Sequence, residues 1–344
     1  MQRSIKKLKD QLWRAKEDSV RSGVYNEVAR LKSELLVLYD KEEKMWHQRS
    51  RIQWLQSGDQ NTKSFHGTAT QRKRKNFIKW LKDDKGVWHE DEDTCARMLN
   101  EFYSRLFTSS QPHDLDRILD GVDEVVTDEM HANLARAYTS EEVDAAIKEM
   151  APLKAPGPNG MPPLFFPTYW TDIGMDVHQA VLSCLNSGAI LKSIDQTFIT
   201  LIPKVNNPEK VSDFWPISLC NVIYKIVSKV IANRLKSMLN SIISETQSAF
   251  TVDRLITDNI LIAFESLHHM KTNCIGKKGF MALKMDISKA YNRVEWIFLE
   301  KILLKMGFQA SWVALIMECI STISYSILVN GEPKGIITLS RGLR

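Results

Sequence analysis

The 344-residue chain predicts an α+β fold over residues 150–344, preceded by a helical N-terminal region. Three observations lead there. Val24, Val28, Leu31, Leu35, Leu38 and Met45 recur at helical spacings between runs of charge, which is the pattern of an amphipathic helix. Short apolar runs bounded by turn residues, such as Phe198–Ile202 before Pro203 and Ile323–Val329 before Asn330-Gly331, read as strands. Stretches of helical period lie between those runs, so both kinds of element share one region.

The composition suits a folded chain with a sizeable core. Apolar residues make up 44%, charged residues 25% and aromatic residues 9%, which excludes disordered, collagenous and disulfide-scaffold classes. The net charge of +5 is unevenly spread. Residues 1–85 hold 21 Lys/Arg against 11 Asp/Glu, whereas residues 86–150 hold 5 against 16. The front is therefore basic, the middle acidic and the remainder mildly basic. Cys95, Cys184, Cys220, Cys274 and Cys319 form no CxxC pair, so reduced thiols and an intracellular setting, nuclear or cytoplasmic, are expected. The start lacks the apolar stretch of a secretory signal, and Val313–Val329 is too polar to span a bilayer, so no membrane partner is expected.

Taken in order, residues 1–55 read as one long helix that Gly23 weakens without ending. The helix suits either a cover for a neighbouring surface or a self-associating coiled coil. Residues 56–150 read as a connector, basic and then helical and acidic. Within it Arg72, Lys73, Arg74 and Lys75 stand in succession, followed by Phe77, Trp80 and Trp88. Such cations displace counterions from a phosphate backbone and aromatic rings stack on unpaired bases, so Arg72–Lys75 are candidate nucleic-acid contacts. A solvated basic turn beside core aromatics is the alternative. Thr139-Ser-Glu-Glu142 has the form of a capping box ahead of Val143, Ala146, Ile147 and Met150.

Lys154–Pro163 holds four prolines and two glycines, which no helix or central strand survives, and the main boundary is expected there. Beyond it the strand Phe198–Ile202, a helix Val222–Ile243, an apolar strand Phe280–Met285, a helix from Trp296 to Gly307 and a hairpin about Asn330-Gly331 follow. Asp286, at the end of an apolar strand, suits either a ligand for a hard divalent cation or a cap for the next turn.

The stretch Leu283-Lys-Met-Asp-Ile-Ser-Lys-Ala-Tyr-Asn-Arg-Val-Glu-Trp296 resembles the first catalytic box of reverse transcriptases from LINE-type (non-LTR) retrotransposons, particularly plant ones. Lys154-Ala-Pro-Gly-Pro-Asn-Gly160, Thr200-Leu-Ile-Pro-Lys204, Asp213-Phe-Trp-Pro-Ile-Ser-Leu-Cys220, Ser244–Phe250 and Arg254–Asn259 resemble further motifs of that family, in its order. Trp54–Lys63, with Phe65 and His66, resembles the family's connector between endonuclease and polymerase.

The resemblance implies a right-hand polymerase, with fingers over 151–275 and an incomplete palm over 276–344. It implies RNA-directed DNA synthesis on an RNA template and a DNA primer. In that reading Asp286 is catalytic and binds Mg2+ together with the Ile287 carbonyl. Tyr291 is the steric gate against a ribose 2′-hydroxyl, and Lys204 and Arg254 join it as substrate-binding residues. Several positions depart from the family's pattern: Trp215 for an Arg, Asn292 and Asn159 for Asp, and Asp253 for a Gly. No Asp-Asp pair follows Asp84, so the later carboxylate cluster is missing and the chain is expected to be inactive in isolation. The terminal hairpin is expected to lack sheet partners and to show an exposed edge. A residual nucleic-acid-binding module and a helical interaction protein are the alternative readings.

Overall fold

Helix α1 (Gln2–Ser22) stops at Gly23, whose φ of 72° is the left-handed conformation that lets a backbone N–H return to the last turn, here to the Ser19 carbonyl. A second helix, α2 (Asn26–Ser50), then packs on α1. The single helix expected over 1–55 is thus a helical pair, and Gly23 does end the first stripe. Ile5, Val28 and Leu31 are buried, so the apolar stripe finds cover inside the chain itself. The computed structural model describes residues 1–23, 25–50, 62–249, 251–272 and 280–343. Most of the Trp54–Lys63 motif, Phe250 and Cys274 lie outside them. Helix α3 (Thr62–Asn76) packs on α2 and completes a first unit, Met1–Phe77.

The second unit is Ile78–Arg344. The boundary therefore falls at residue 77 and not at the Pro/Gly-rich loop 154–163. That loop is folded into the second unit: a Cβ on Gly157 would sit 2.4 Å from the Cys220 backbone, and the Asn159 N–H donates to Asn221 Oδ1 at 3.1 Å. Prolines and glycines mark a tightly packed loop as readily as a linker.

The unit opens with a short hairpin, β1 (Leu81–Lys82) and β2 (Trp88–His89). Helix α4 (Glu92–Phe107) follows, capped by Asp91, whose carboxylate accepts from the Thr94 N–H at 2.8 Å. Next come α5 (Leu115–Leu119), α6 (Asp128–Ala135), α7 (Ser140–Lys148), α8 (Phe165–Thr168), α9 (Trp170–Ser187) and α10 (Lys192–Asp195). The Thr139/Glu142 capping box forms as its spacing predicts. Strands β3 (Gln196–Pro203) and β4 (Phe214–Cys220) precede α11 (Val222–Lys236), α12 (Leu239–Ile242) and α13 (Ile256–Thr272). Helices α14 (Trp296–Lys305) and α15 (Ala310–Ser321) lead to the hairpin β5 (Ser324–Val329) and β6 (Glu332–Thr338).

The sheet order is β4-β3-β5-β6, with β3 and β5 parallel and the outer pairs antiparallel. Thr197, Ile199 and Leu201 alternate as buried positions of β3, whereas in β5 Ser326 is buried along with Tyr325, Ile327 and Val329. One apolar layer joins the sheet to α4 through Leu99, Tyr103, Phe107, Ile199, Leu201 and Ile327. A second layer is helical and gathers Val143, Val181, Val227, Val230, Trp312 and Val313. The terminal hairpin is therefore partnered, contrary to expectation, because β3 supplies a parallel neighbour. Its outer strand remains an edge, with Ile336 77% exposed, and α4 touches it where Asn100 Nδ2 donates to the Lys334 carbonyl at 3.4 Å.

The expected strand Phe280–Met285 is the reverse case. No ladder forms there, and Met281 is 87% exposed and Met285 80%. An apolar run becomes a strand only when another strand takes up its N–H and C=O groups, and none of the described strands lies against this one. Helix α13 likewise has no buried residue.

Candidate nucleic-acid and nucleotide site

Lys204 follows the last residue of β3, and the loop that returns to β4 closes around it. Its N–H donates to the Asp213 carbonyl at 2.8 Å and its ammonium to the Ser212 carbonyl at 2.8 Å. Asp213 Oδ2 accepts from the N–H groups of Glu209 and Lys210 at 3.0 and 2.9 Å. Those backbone donors, the Lys210 N–H foremost, hold the Asp213 carboxyl below the ordinary carboxylate range in spite of partial burial. The loop is therefore rigid, and Lys204 leaves it as an exposed cation.

Asp286 and Ile287 lie in the exposed 280–287 stretch, and Ile287 is 68% exposed. Among the described residues no group of three or more His, Cys, Asp or Glu side chains is placed to hold a metal ion. The residues present do not by themselves fit the two-cation arrangement that the sequence resemblance implies, since Asp286 brings no second carboxylate with it.

After Asp286 the chain turns at Lys289, a non-glycine residue with φ 56°, into the 3₁₀ turn Ala290–Arg293. Two backbone bonds fix this turn: the Leu343 N–H to the Tyr291 carbonyl and the Gly342 N–H to the Val294 carbonyl, both at 2.8 Å. Trp296 Nε1 donates to the Gly342 carbonyl at 2.8 Å, and Glu295 pairs with Arg341 at 3.2 Å while accepting from Ser109 and Ser110. Burial pushes the Glu295 carboxyl upward, but those donors outweigh it and carry it below the ordinary range. The Tyr291 backbone is thus held, and its side chain, 60% exposed, lines a cavity of about 840 Å3 with Pro216, Ile217, Tyr224, Ile316 and Leu343. Its lining is mostly apolar and includes two tyrosines, Tyr224 and Tyr291, which suits a flat ring system.

Arg254 is placed otherwise than the resemblance implies. Its guanidinium donates to the carbonyls of Ser244, Gln247, Ile243 and Asn240, the last three at 2.8, 3.2 and 3.5 Å. Four carbonyls engage both terminal nitrogens and leave only the Nε–H, so the guanidinium staples residues 240–247. The turn ahead of it has Asp253 at φ 61°, the left-handed conformation for which glycine is the easier residue. Trp215 is 56% exposed on the edge strand β4.

Arg72 to Lys75 form the exposed last turn of α3, helical and not a loop, and three of the four oppose the negative end of that helix. Phe77, Trp80 and Trp88 are all exposed, which removes the alternative of core aromatics. Trp80 and Trp88 meet edge to face at 6.3 Å, each beside a lysine ammonium, Lys79 and Lys82 respectively.

Two residues carry more of the structure than their sequence context suggests. Arg234 on α11 is buried and pairs with both oxygens of Glu142, at 2.7 and 2.8 Å. It also donates to the carbonyls of Leu134, Arg136 and Ala137 and lies 3.6 Å from the Tyr138 ring centroid. Lys289 places its ammonium 4.2 Å from the Phe102 centroid. An arginine near a helix end and a lysine within a motif give no signal of burial, and only the packing of α4 and α7 discloses it.

With that geometry in view, comparison with known proteins finds a likeness over one segment. Residues 202–344 match the reverse transcriptase (RNA-dependent DNA polymerase) family. The matched segment contains Lys204, Arg254, Asp286, Ile287 and Tyr291, and it begins inside β3. Over 298 residues, 86% of the chain, the sequence is 26% identical to the "Transposon TX1 uncharacterized 149 kDa protein" of Xenopus laevis. The chain spans 22% of the length of that relative. No helix among the described residues is long and apolar enough to cross a membrane.

Proposed function

We propose that the chain is a fragment of the RNA-directed DNA polymerase of a plant LINE-type (non-LTR) retrotransposon, with fingers over 151–275 and an incomplete palm over 276–344. The observation that carries this reading is the reverse transcriptase match over residues 202–344. Its partners are an RNA template and a DNA primer, inside the cell, in nucleus or cytoplasm. Tyr291 supplies a ring beside the cavity that would press on a ribose 2′-hydroxyl, and Lys204 offers a charge for phosphate oxygens. Mg2+ is the cation expected of such an enzyme, but Asp286 alone does not complete its site. The chain by itself therefore binds nucleic acid without extending a primer.

Primer extension with Mg2+ or Mn2+ tests the reading, with Asp286→Ala as control. No synthesis by either protein is expected. Synthesis by the parent that the variant lacks would overturn the inactivity.

A residual binding module is the second reading, favoured by the exposed Arg72–Lys75 turn. Binding to a labelled RNA–DNA primer-template should weaken with salt. Replacing all four cations by Gln should flatten the log–log slope by roughly 3. An unchanged slope would take those residues out of the interface.

A further inference from the structure

We propose that the cavity between the ends of α6, α9 and α15 is a binding site for a carboxylate carried on an apolar body. Its volume is about 440 Å3, within the range of small-molecule sites. The proposal does not rest on the polymerase reading, and the cavity shares no lining residue with the one beside Tyr291. Leu134, Ala137, Leu185, Ala314 and Leu315 give it apolar walls. Among the described residues Arg136 is the one Lys or Arg of the lining, which holds no aspartate or glutamate. Arg136 also stands 3.5 Å from Glu142, but Arg234 already takes both oxygens of that carboxylate.

Two of the lining residues carry a buried nitrogen with no hydrogen-bond partner, Trp312 Nε1 and His131 Nδ1. Trp312 is 6% exposed, and Phe308 stacks on its ring at 4.7 Å, which fixes the direction of the indole N–H. An indole nitrogen can only donate, so it requires an acceptor that none of the described residues supplies. The imidazole of His131 can donate or accept according to its tautomer. Trp312 also lies in the first turn of α15, whose N-cap Gln309 makes no side-chain capping bond. The backbone donors of that turn stand at the positive end of the helix dipole. A neutral carbonyl would satisfy the indole alone. The indole, the helix end and Arg136 together select a negative charge, and a carboxylate offers two oxygens that can accept from separate donors at once. The apolar walls then cover the rest of the ligand.

Titration of phenylbutyrate into the full chain, with nitrogen-15 in its nine tryptophans, tests the proposal by magnetic resonance. Trp312→Phe identifies the Trp312 indole signal by its loss. In the parent that signal should move downfield and saturate, with a Kd of about 1 mM or tighter. Phenylbutanol, which lacks the charge, should bind about tenfold more weakly. Arg136→Gln, whose parent side chain is 60% exposed, should weaken phenylbutyrate by about tenfold. Ser311→Phe, at an exposed position of α15, should fill the cavity and remove the response. A Trp312 signal that never saturates in the parent would overturn the proposal, and that result needs no variant to fold. Equal binding of phenylbutyrate and phenylbutanol would overturn it too, as would parental affinity in both Arg136→Gln and Ser311→Phe. A tetrapeptide with a free C-terminal phenylalanine, set against phenylbutyrate, separates two sources of such a carboxylate. Tighter binding of the peptide assigns the site to a polypeptide terminus and tighter binding of phenylbutyrate to a small organic acid, and either supports the carboxylate site.

Discussion

Replacing Arg234 with Met keeps most of the aliphatic stem and deletes the charge. The guanidinium is 4% exposed and its partner Glu142 is 20% exposed, so the pair is screened far less than a surface ion pair. Its loss leaves the partly buried Glu142 carboxylate with the more exposed Arg136 at 3.5 Å and the Thr139 N–H at 3.0 Å, and leaves the carbonyls of Leu134, Arg136 and Ala137 without this donor. Breaking such a pair by removing one partner costs about 3–5 kcal/mol. With an m-value of about 3 kcal/mol/M in urea, the midpoint should fall by roughly 1 M or more. Glu142→Gln combined with Arg234→Met should cost less than the two single losses added, because the double variant strands no charge.

The pH dependence carries a definite sign. The hydrogen bond from Arg234 holds the Glu142 carboxyl below its ordinary range, against the opposing effect of burial. A depressed carboxyl stabilises the fold above its unfolded value of about 4.3, and that contribution is lost as pH falls through the folded pKa. The gap between parent and variant should therefore narrow below about pH 4. A loss under about 1 kcal/mol at neutral pH, or a gap that ignores acid, would refute the account of Arg234 as the tie between α11, α7 and the end of α6.

Two further outcomes follow from local geometry. Gly157→Ala pushes a methyl group against the Cys220–Asn221 peptide, 2.4 Å from the nearest backbone carbon, and should cost about 1–3 kcal/mol in chemical denaturation; a neutral result would mean the loop moves freely. Asn330→Ala removes both hydrogen bonds to Ile78, at 2.9 and 3.1 Å, and puts alanine at φ 54°, so a loss of about 1–3 kcal/mol is expected in the same assay.

What the sequence discloses depends on the range of the interaction. The Thr139/Glu142 box, the stop at Gly307 and the Asn330-Gly331 turn are written in neighbouring residues, and each forms as read. The partner of β5 is not, because Thr197 pairs with Tyr325 across about half of the second unit. Phe280–Met285 has the composition of a strand, but composition cannot supply the neighbour that a ladder requires. The candidate site residues divide in the same way. Lys204 and Tyr291 lie in recognisable motifs and border the loop and the cavity. Arg254 shares the motif signal, and both of its terminal nitrogens bond backbone carbonyls. Lys289 owes its position to Phe102 and Tyr103, which no local pattern links to it.

The pairing of β3 with β5 also limits how the protein can be cut. The reverse transcriptase match begins at residue 202, within a strand whose register runs from Gln196 to Pro203. A piece starting there would lose most of the sheet's inner strand and all of α4, leaving Tyr325 and Ile327 facing water. Ile78 is itself fastened to the hairpin turn through Asn330. The shortest fragment with a chance of folding as the second unit thus begins near residue 78, well ahead of the part that names the family. Sequence kinship and physical autonomy have different borders in this molecule, separated by more than a hundred residues.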